Sequence, residues 1–327
     1  WRIWVKISLI TPAKKQSKNG NRTTALRWAR MLRQAGHRVR IDVDYGGEAV
    51  DLMIAIHAWR SAGAIGRYRE RFPGGPLVVA LGGTDVNTYL LSHPETTLRS
   101  MEMADALICL HDLMGEALPA ALGRKLHVVR QSALPLSGPR RPAQRYFDVC
   151  VIGHLRAEKD PFRTALAARR LPPASRLRVT HLGSAHTPEY ASQAAAEMAV
   201  NSRYRWLGEV PRWRVRRELA KTRAMVISST QEGGANVVSE AIVADVPVIA
   251  SDIAGNVGLL GREHPGTYPL GDEAALARLL DRAEMEPGFL ETLERFGRKL
   301  KPLFRPAHER AALARIVNLA GKCSRSG

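Results

Sequence analysis

Cysteines, aromatic residues and long apolar runs are all scarce in this chain, and each shortage excludes a class of protein. Cys109, Cys150 and Cys323 are the only cysteines. An odd set without repeated spacing builds neither a disulfide framework nor a cysteine-based metal site, and the first two fall in apolar runs, as reduced core thiols do. No apolar run reaches the ~18 residues that a membrane span needs. The opening WRIWVKISLITP is strand-like and interrupted at Pro12, unlike a signal peptide. A cytoplasmic protein with no transmembrane segment is expected.

Acidic residues are short too: 31 Asp and Glu stand against 49 Lys and Arg, a formal net charge of +18. A basic protein attracts polyanions whatever its fold. Here, however, the basic residues are dispersed, aromatics make up only 6% of the chain, and no zinc-finger spacing, RNP motif or basic zipper appears. The densest cluster, PRWRVRRELAKTR from Pro211 to Arg223, reads as an amphipathic helix burying Trp213 and Leu219 with its arginines in water. No nucleic-acid partner is expected, because an anionic small substrate, or attraction to acidic membrane lipid, accounts for the charge as well.

What is present is a regular alternation of strands and helices. IWVKISLITP reads as a first strand, a loop and amphipathic helix follow to Gly36, and RVRIDV, DLMIAIH and LVVAL continue as strands around the helix SAGAIGRYRERF. Strands that alternate with helices make parallel sheets, so the class is α/β. At 327 residues the chain fits two domains of about 150 residues each. The proline-rich, charged stretch Leu136–Tyr146 reads as a linker. The expected division is 1–138, then 139–302, then a terminal helix and tail at 303–327 that packs back on the first domain.

The most informative segment runs from Ala224 to Asn256. AMVIS is a short buried strand, Glu-Gly-Gly-Ala-Asn cannot continue it, and VVSEAIVA has helical spacing. Glu232 is thereby placed in the loop and Glu240 in the helix, at the carboxyl end of a parallel strand where open α/β sheets bind ligands. The helix that follows turns its N-terminal amides toward the same crevice, as a phosphate site does. FDVCVIGHLRAEKDPF, Phe147 to Phe162, has the same form: a strand, a turn with Arg156 and Lys159, and a helix opened by Asp160-Pro161.

These two segments resemble the nucleotide-sugar half of glycosyltransferases of the GT-B type, two facing Rossmann-like domains with a cleft between them, and in particular the retaining family 4 with its Glu-x7-Glu signature. The resemblance implies that Glu232 faces the donor hexose and Glu240 holds the ribose hydroxyls. It further implies that Arg156 and Lys159 meet the diphosphate, so that Arg156, Lys159 and Glu232 are the catalytic set. Gly153, Gly208, Val210, Gly233, Gly234, Ala235, Asn236 and Val237 join Glu240 as nucleotide-sugar-binding positions. No metal or other cofactor is expected, since fixed cations meet the charge that grows on the leaving diphosphate.

The first half departs from sugar-acceptor members. Where these commonly carry a run of glycines after the first strand, this chain has Lys14, Lys15, Lys18, Asn19, Gly20, Asn21 and Arg22. The next strand ends carry His57 with Arg60, and Thr84 with Asp85. Cations and donors gathered at one rim suit a small, highly charged oxyanion, and Lys14, Asn19, Gly20, Asn21, Arg22, His57, Arg60, Thr84 and Asp85 are the acceptor candidates. Together with QEGGANVVSEA and SDIAGNVGLLG, these segments make the chain similar to the selenosugar synthases of selenoneine biosynthesis. That resemblance implies UDP-sugar, UDP-N-acetylglucosamine by preference, and selenophosphate as partners, with a pathway protein that uses the selenosugar as a further one. Two departures from family 4 stand out: Asp245 replaces the usual glycine before VPVIAS, and Asn256 stands where many members carry a glutamate.

Overall fold

The computed structural model describes residues 5–16 and 20–323, with side chains as far as residue 320; Lys18 and Asn19 lie outside them. The chain forms two compact units, one running to Arg130 and resuming at Ala307, the other Gln131–Pro306.

The first unit comprises β1 (Lys6–Ile10), α1 (Gly20–Gln34), β2 (Arg38–Asp42), β3 (Leu52–Ile56), α2 (Ala62–Arg71), β4 (Leu77–Ala80), the short α3 (Leu90–Ser92), α4 (Pro94–Met103), β5 (Ala106–Cys109), α5 (Ala120–Gly123) and β6 (Leu126–Val128). Its strands pair in parallel in the order β2-β1-β3-β4-β5-β6. β3, β4 and β5 are buried along their whole length, which is why they read as unbroken apolar runs rather than alternating ones. Ile7, Leu9 and Trp28 pack on one face of the sheet with Leu313, Ile316 and Val317 of the last helix. The Trp28 indole donates to the fully buried Glu309 of that helix at 2.8 Å.

The second unit comprises β7 (Phe147–Ile152), α6 (Arg163–Arg169), β8 (Leu177–Leu182), α7 (Pro188–Val200), β9 (Tyr204–Trp206), α8 (Arg212–Lys221), β10 (Ala224–Ile227), α9 (Asn236–Val243), β11 (Val248–Ser251), α10 (Ala254–Leu260), β12 (Thr267–Tyr268), α11 (Glu273–Met285) and α12 (Pro287–Leu300). α13 (Pro306–Cys323) completes the first unit. The second sheet, again parallel, has the order β12-β11-β10-β7-β8-β9. Renumbered from β7, this is the doubly wound Rossmann order, and its strand order reverses between β7 and β10. In the first sheet the reversal lies between β1 and β3. Ligands bind outside the carboxyl ends of the strands at such points.

Three local expectations need correction. The break between units falls after Arg130, eight residues before the expected boundary, and the stretch read as a linker is fastened to the second unit. Arg140 donates to the Thr222 carbonyl at 2.8 Å, and the Arg141 amide donates to the Ala220 carbonyl at 2.8 Å. Trp213 is 63% exposed while Leu219 is buried. Residues six apart lie roughly 120° from one another around a helix, so one face cannot bury both. Asp160 does not cap the start of the following helix, whose N-cap is Phe162. It ends a tight turn in the left-handed region at φ 42, which aspartate tolerates, and its carboxylate accepts from Arg163 Nε at 2.8 Å.

Candidate active site

The reversal point of the second sheet gathers the loops after β7 and β10. From Ile152 the chain turns at Gly153 and reaches a 3₁₀ turn at Ala157–Lys159; from Ile227 it passes through Ser228 and Ser229 to Glu232. The loops are stitched together, since the Thr230 amide donates to the Glu158 carbonyl at 2.9 Å and Ser228 Oγ to the Asp160 carbonyl at 2.9 Å. Lys159 Nζ thereby ion-pairs with Glu232 Oε1, and Ser229 Oγ donates to the same oxygen at 2.6 Å. Arg156 stands beside them with Nε 3.8 Å from the Glu158 carboxylate. Two acids, Glu158 and Glu232, and two cations, Arg156 and Lys159, partly open to solvent, therefore occupy these loops.

Gly233, Gly234 and Ala235 carry the chain from Glu232 into α9, and Gly234 adopts φ +136, a conformation closed to most side chains. Asn236 and Val237 open the helix, where backbone amides lack intrahelical acceptors and the dipole favours an anion. Glu240 follows one turn later on the same helix, with Arg212 of α8 3.7 Å away. Asp245, in the position usual for glycine, takes φ 57. Its strained backbone is fastened on both sides, because Arg140 bonds its carbonyl and Lys301 Nζ lies 2.5 Å from its carboxylate.

Gly153 rests on a buried brace. His181 Nε2 lies 3.1 Å from the Gly153 carbonyl and Nδ1 3.0 Å from the Tyr204 hydroxyl. Burial lowers this imidazole to about 4, so the ring is neutral, donating to the carbonyl and accepting from the phenol. Gly208 and Val210 follow β9, and the Gly208 carbonyl accepts from the Gly183 amide at 2.9 Å.

At the corresponding edge of the first sheet, Lys14 is exposed, Gly20 opens α1, Asn21 is half-buried and Arg22 is buried in the first turn. Asn19, the remaining candidate of that loop, lies outside the described residues. His57 is buried with φ 77. Its Nδ1 is 2.6 Å from Asp85 Oδ1 and its Nε2 2.9 Å from Thr84 Oγ1. An unprotonated Nδ1 at that distance would oppose a lone pair to a carboxylate, so Nδ1 carries a proton, and Nε2 shares a hydrogen bond with the Thr84 hydroxyl. Asp85 is fully buried and also accepts from the amides of Ala58, Trp59 and Gly82 at 3.0, 2.9 and 2.8 Å. Asp85, an acceptor candidate, uses its oxygens to tie the two loops together and to orient His57. Arg60 is exposed, with its guanidinium 5.9 Å from the Tyr89 ring, and Tyr89 stacks on Trp59 at 3.9 Å.

Sequence reasoning missed Ser229, the His181–Tyr204 brace, the π-helical turn Asp85–Tyr89 and Gly255. A Cβ on Gly255 would lie 2.2 Å from the Glu232 carbonyl oxygen, so only glycine lets the start of α10 abut the Glu232 loop. A serine three residues before the acid was the one signal present in the sequence. The His181–Tyr204 brace and the approach of Gly255 to Glu232 involve partners 20 or more positions apart.

Residues 139–301 match the family model described as glycosyl transferases group 1. Solved structures similar over nearly the whole chain include Anabaena HepE in complex with UDP and glucose, at 14% identity and TM-score 0.75, covering 96% of this chain and 99% of that one. Sucrose-phosphate synthase from Thermosynechococcus elongatus is 17% identical at TM-score 0.75, covering 96% and 98%. A glycosyltransferase from Rickettsia africae is 11% identical at TM-score 0.75, covering both chains fully. The fold is therefore GT-B.

Proposed function

We propose, from the match of residues 139–301 to the family model described as glycosyl transferases group 1, that this chain transfers the sugar of a UDP-sugar to selenophosphate. The observation that carries the donor half is the cluster of Arg156, Lys159 and Glu232 at the reversal point of the second sheet, with Glu240 on the helix beyond. The likeness to Anabaena HepE, solved with UDP-glucose as well as with UDP and glucose, supports a UDP-sugar. Glu240 would hold the ribose, and Glu232 would face the hexose. Arg156 and Lys159 would take the charge that grows on the β-phosphate as the bond from C1 to oxygen breaks, which places fixed cations where no metal is needed.

The acceptor half rests on the basic edge of the first sheet and on the resemblance to selenosugar synthases. Selenium in selenophosphate is already anionic and soft, so it needs seating rather than a general base. Its lone pair attacks C1, UDP departs with the bonding electrons, and later hydrolysis of the selenium–phosphorus bond leaves phosphate and a 1-selenosugar. Arg22, Arg60 and Lys14 would hold the phosphate oxygens, with arginine's planar fork the better grip.

The test is to incubate the protein with UDP-N-acetylglucosamine, with and without selenophosphate, and to weigh the products. UDP and a selenium-bearing sugar should appear together only when both substrates are present. UDP release with a hydroxyl acceptor and none with selenophosphate would make the protein a conventional group 1 transferase.

A further inference from the structure

Glu232 is held by two groups that cannot both stay through the proposed reaction. Lys159 Nζ pairs with Oε1, yet under that reading, on which this inference rests, Lys159 turns to the donor diphosphate. Ser229 Oγ, 2.6 Å from the same oxygen, belongs to a residue only 1% exposed and has no such second task. We propose that Asn256, Ser251 and Ser229 form a buried relay that aims the Glu232 carboxylate and keeps it aimed once Lys159 has left.

The relay is continuous. Asn256 Nδ2 donates to the Ser251 carbonyl at 3.1 Å and to Ser251 Oγ at 3.0 Å. The Ser251 hydroxyl donates to the Ser229 carbonyl at 2.6 Å, and the Ser229 hydroxyl donates to Glu232. Asn256 and Ser251 are fully buried, so water cannot replace these bonds. The orientation of the amide is forced, because a carbonyl only accepts and must meet nitrogen. An acid at position 256 would set oxygen against oxygen there. Asn256, where many family 4 members carry a glutamate, thus acts through Ser251 as a positioning residue. Gly255 completes the brace, since its missing side chain lets the segment 251–256 lie against the backbone of Glu232.

Ser229→Ala removes the last donor without adding bulk. Losing a hydrogen bond to a charged group should lower kcat about 10- to 100-fold, while KM for the UDP-sugar stays within about 3-fold, because an aim lost at the reacting centre is felt in the transition state. Asn256→Asp should move kcat in the same direction and by less. Crystal structures of Lys159→Met and of Lys159→Met/Ser229→Ala supply a readout independent of turnover: Glu232 should keep one orientation in the first and lose it in the second. Glu232 unmoved in the double variant, or wild-type kcat in Ser229→Ala, or donor affinity lost in step with turnover, would each overturn the relay. Calorimetry showing no UDP binding by the wild type would sink the proposed reaction instead, and the crystal structures would still decide the relay.

Discussion

The two sheet edges use the same topology in opposite ways. After β3 and β4 the charged groups are withdrawn: Asp85 is fully buried, three backbone amides and His57 take its oxygens, and His57 itself is 1% exposed. After β7 and β10 they remain partly open, in the ion pairs of Lys159 with Glu232 and of Arg212 with Glu240. A buried and satisfied network fixes geometry at the cost of reactivity, whereas an ion pair that solvent still reaches can exchange partners. The first edge is thus built as a rigid frame that presents a few outer cations, and the second as a set of charges ready to be claimed by a ligand.

If that contrast holds, the largest effects on chemistry belong to the second edge. Arg156→Ala and Lys159→Ala should each lower turnover about 10² to 10³-fold at saturating donor, with a smaller loss of donor affinity, because charge on the diphosphate grows as the bond breaks. Steady-state kinetics with UDP release as the signal checks this. Near-normal turnover in both variants would place the diphosphate elsewhere. Chelation of divalent metal should leave the rate intact, and complete loss with chelator would show that the two cations are not sufficient.

Acid should separate the units next. Burial lowers His181 and His264 of the second unit, and His111 of the first, to about 4. A histidine held neutral in the fold contributes its stability above the ordinary value of about 6.5, and that contribution is lost as pH falls from there towards 4. Each ring accounts for about 3 kcal/mol at most over that window. Hydrogen exchange followed between pH 7 and 4.5 should show the second unit losing protection more steeply than the first. Equal slopes would mean that burial of His181 and His264 does not govern the acid response.

How much of this was legible in the sequence follows from the range of the interactions. Both parallel sheets could be read, since runs such as LMIAI and AMVI are covered on both faces and announce themselves by composition alone. So could the placing of Glu232 in a loop and Glu240 in a helix, because glycine breaks a strand wherever it falls. Trp213 misled because one aromatic in a basic helix invites burial, while the helical angle to Leu219 denies it. The burial of Asp85 was not legible, because a turn acid looks accessible until the amides of residues 58 and 59, on another strand's loop, are brought against it. The brace around Glu232 was hidden for the same reason: Ser251 lies 22 positions from Ser229, and nothing local requires that hydroxyl.

A smaller effect, on binding alone, should mark Glu240. Glu240→Ala is expected to weaken UDP and UDP-sugar alike by about 1.5 to 3 kcal/mol, the contribution of a charged hydrogen bond, since the ribose is common to both. Titration calorimetry decides it. Unchanged UDP affinity in a folded variant would remove Glu240 from the donor site and reduce its pairing with Arg212 to a surface contact.

The smallest change, and the one that most sharpens the contrast, is expected at the first edge. Arg22→Ala should raise the selenophosphate concentration needed for half rate by about 10-fold, as loss of one charge-assisted contact does, and leave UDP-sugar affinity unchanged, because the two ligands are assigned to different units. Arg22 is only 8% exposed, so it sits in the frame yet at its outer turn, and a pure frame residue would lower thermal stability without touching the acceptor response. Thiophosphate, with the same charge and nearly the same shape, should compete with or replace selenophosphate, and inorganic phosphate should inhibit weakly. An unaltered acceptor response in the variant would move the seat towards Arg60 and the Thr84 hydroxyl beside His57. Indifference of the wild type to all three oxyanions would mean that the cations of the first edge serve a hydroxyl acceptor, and the rigid frame would then be shaping a pocket for a neutral molecule.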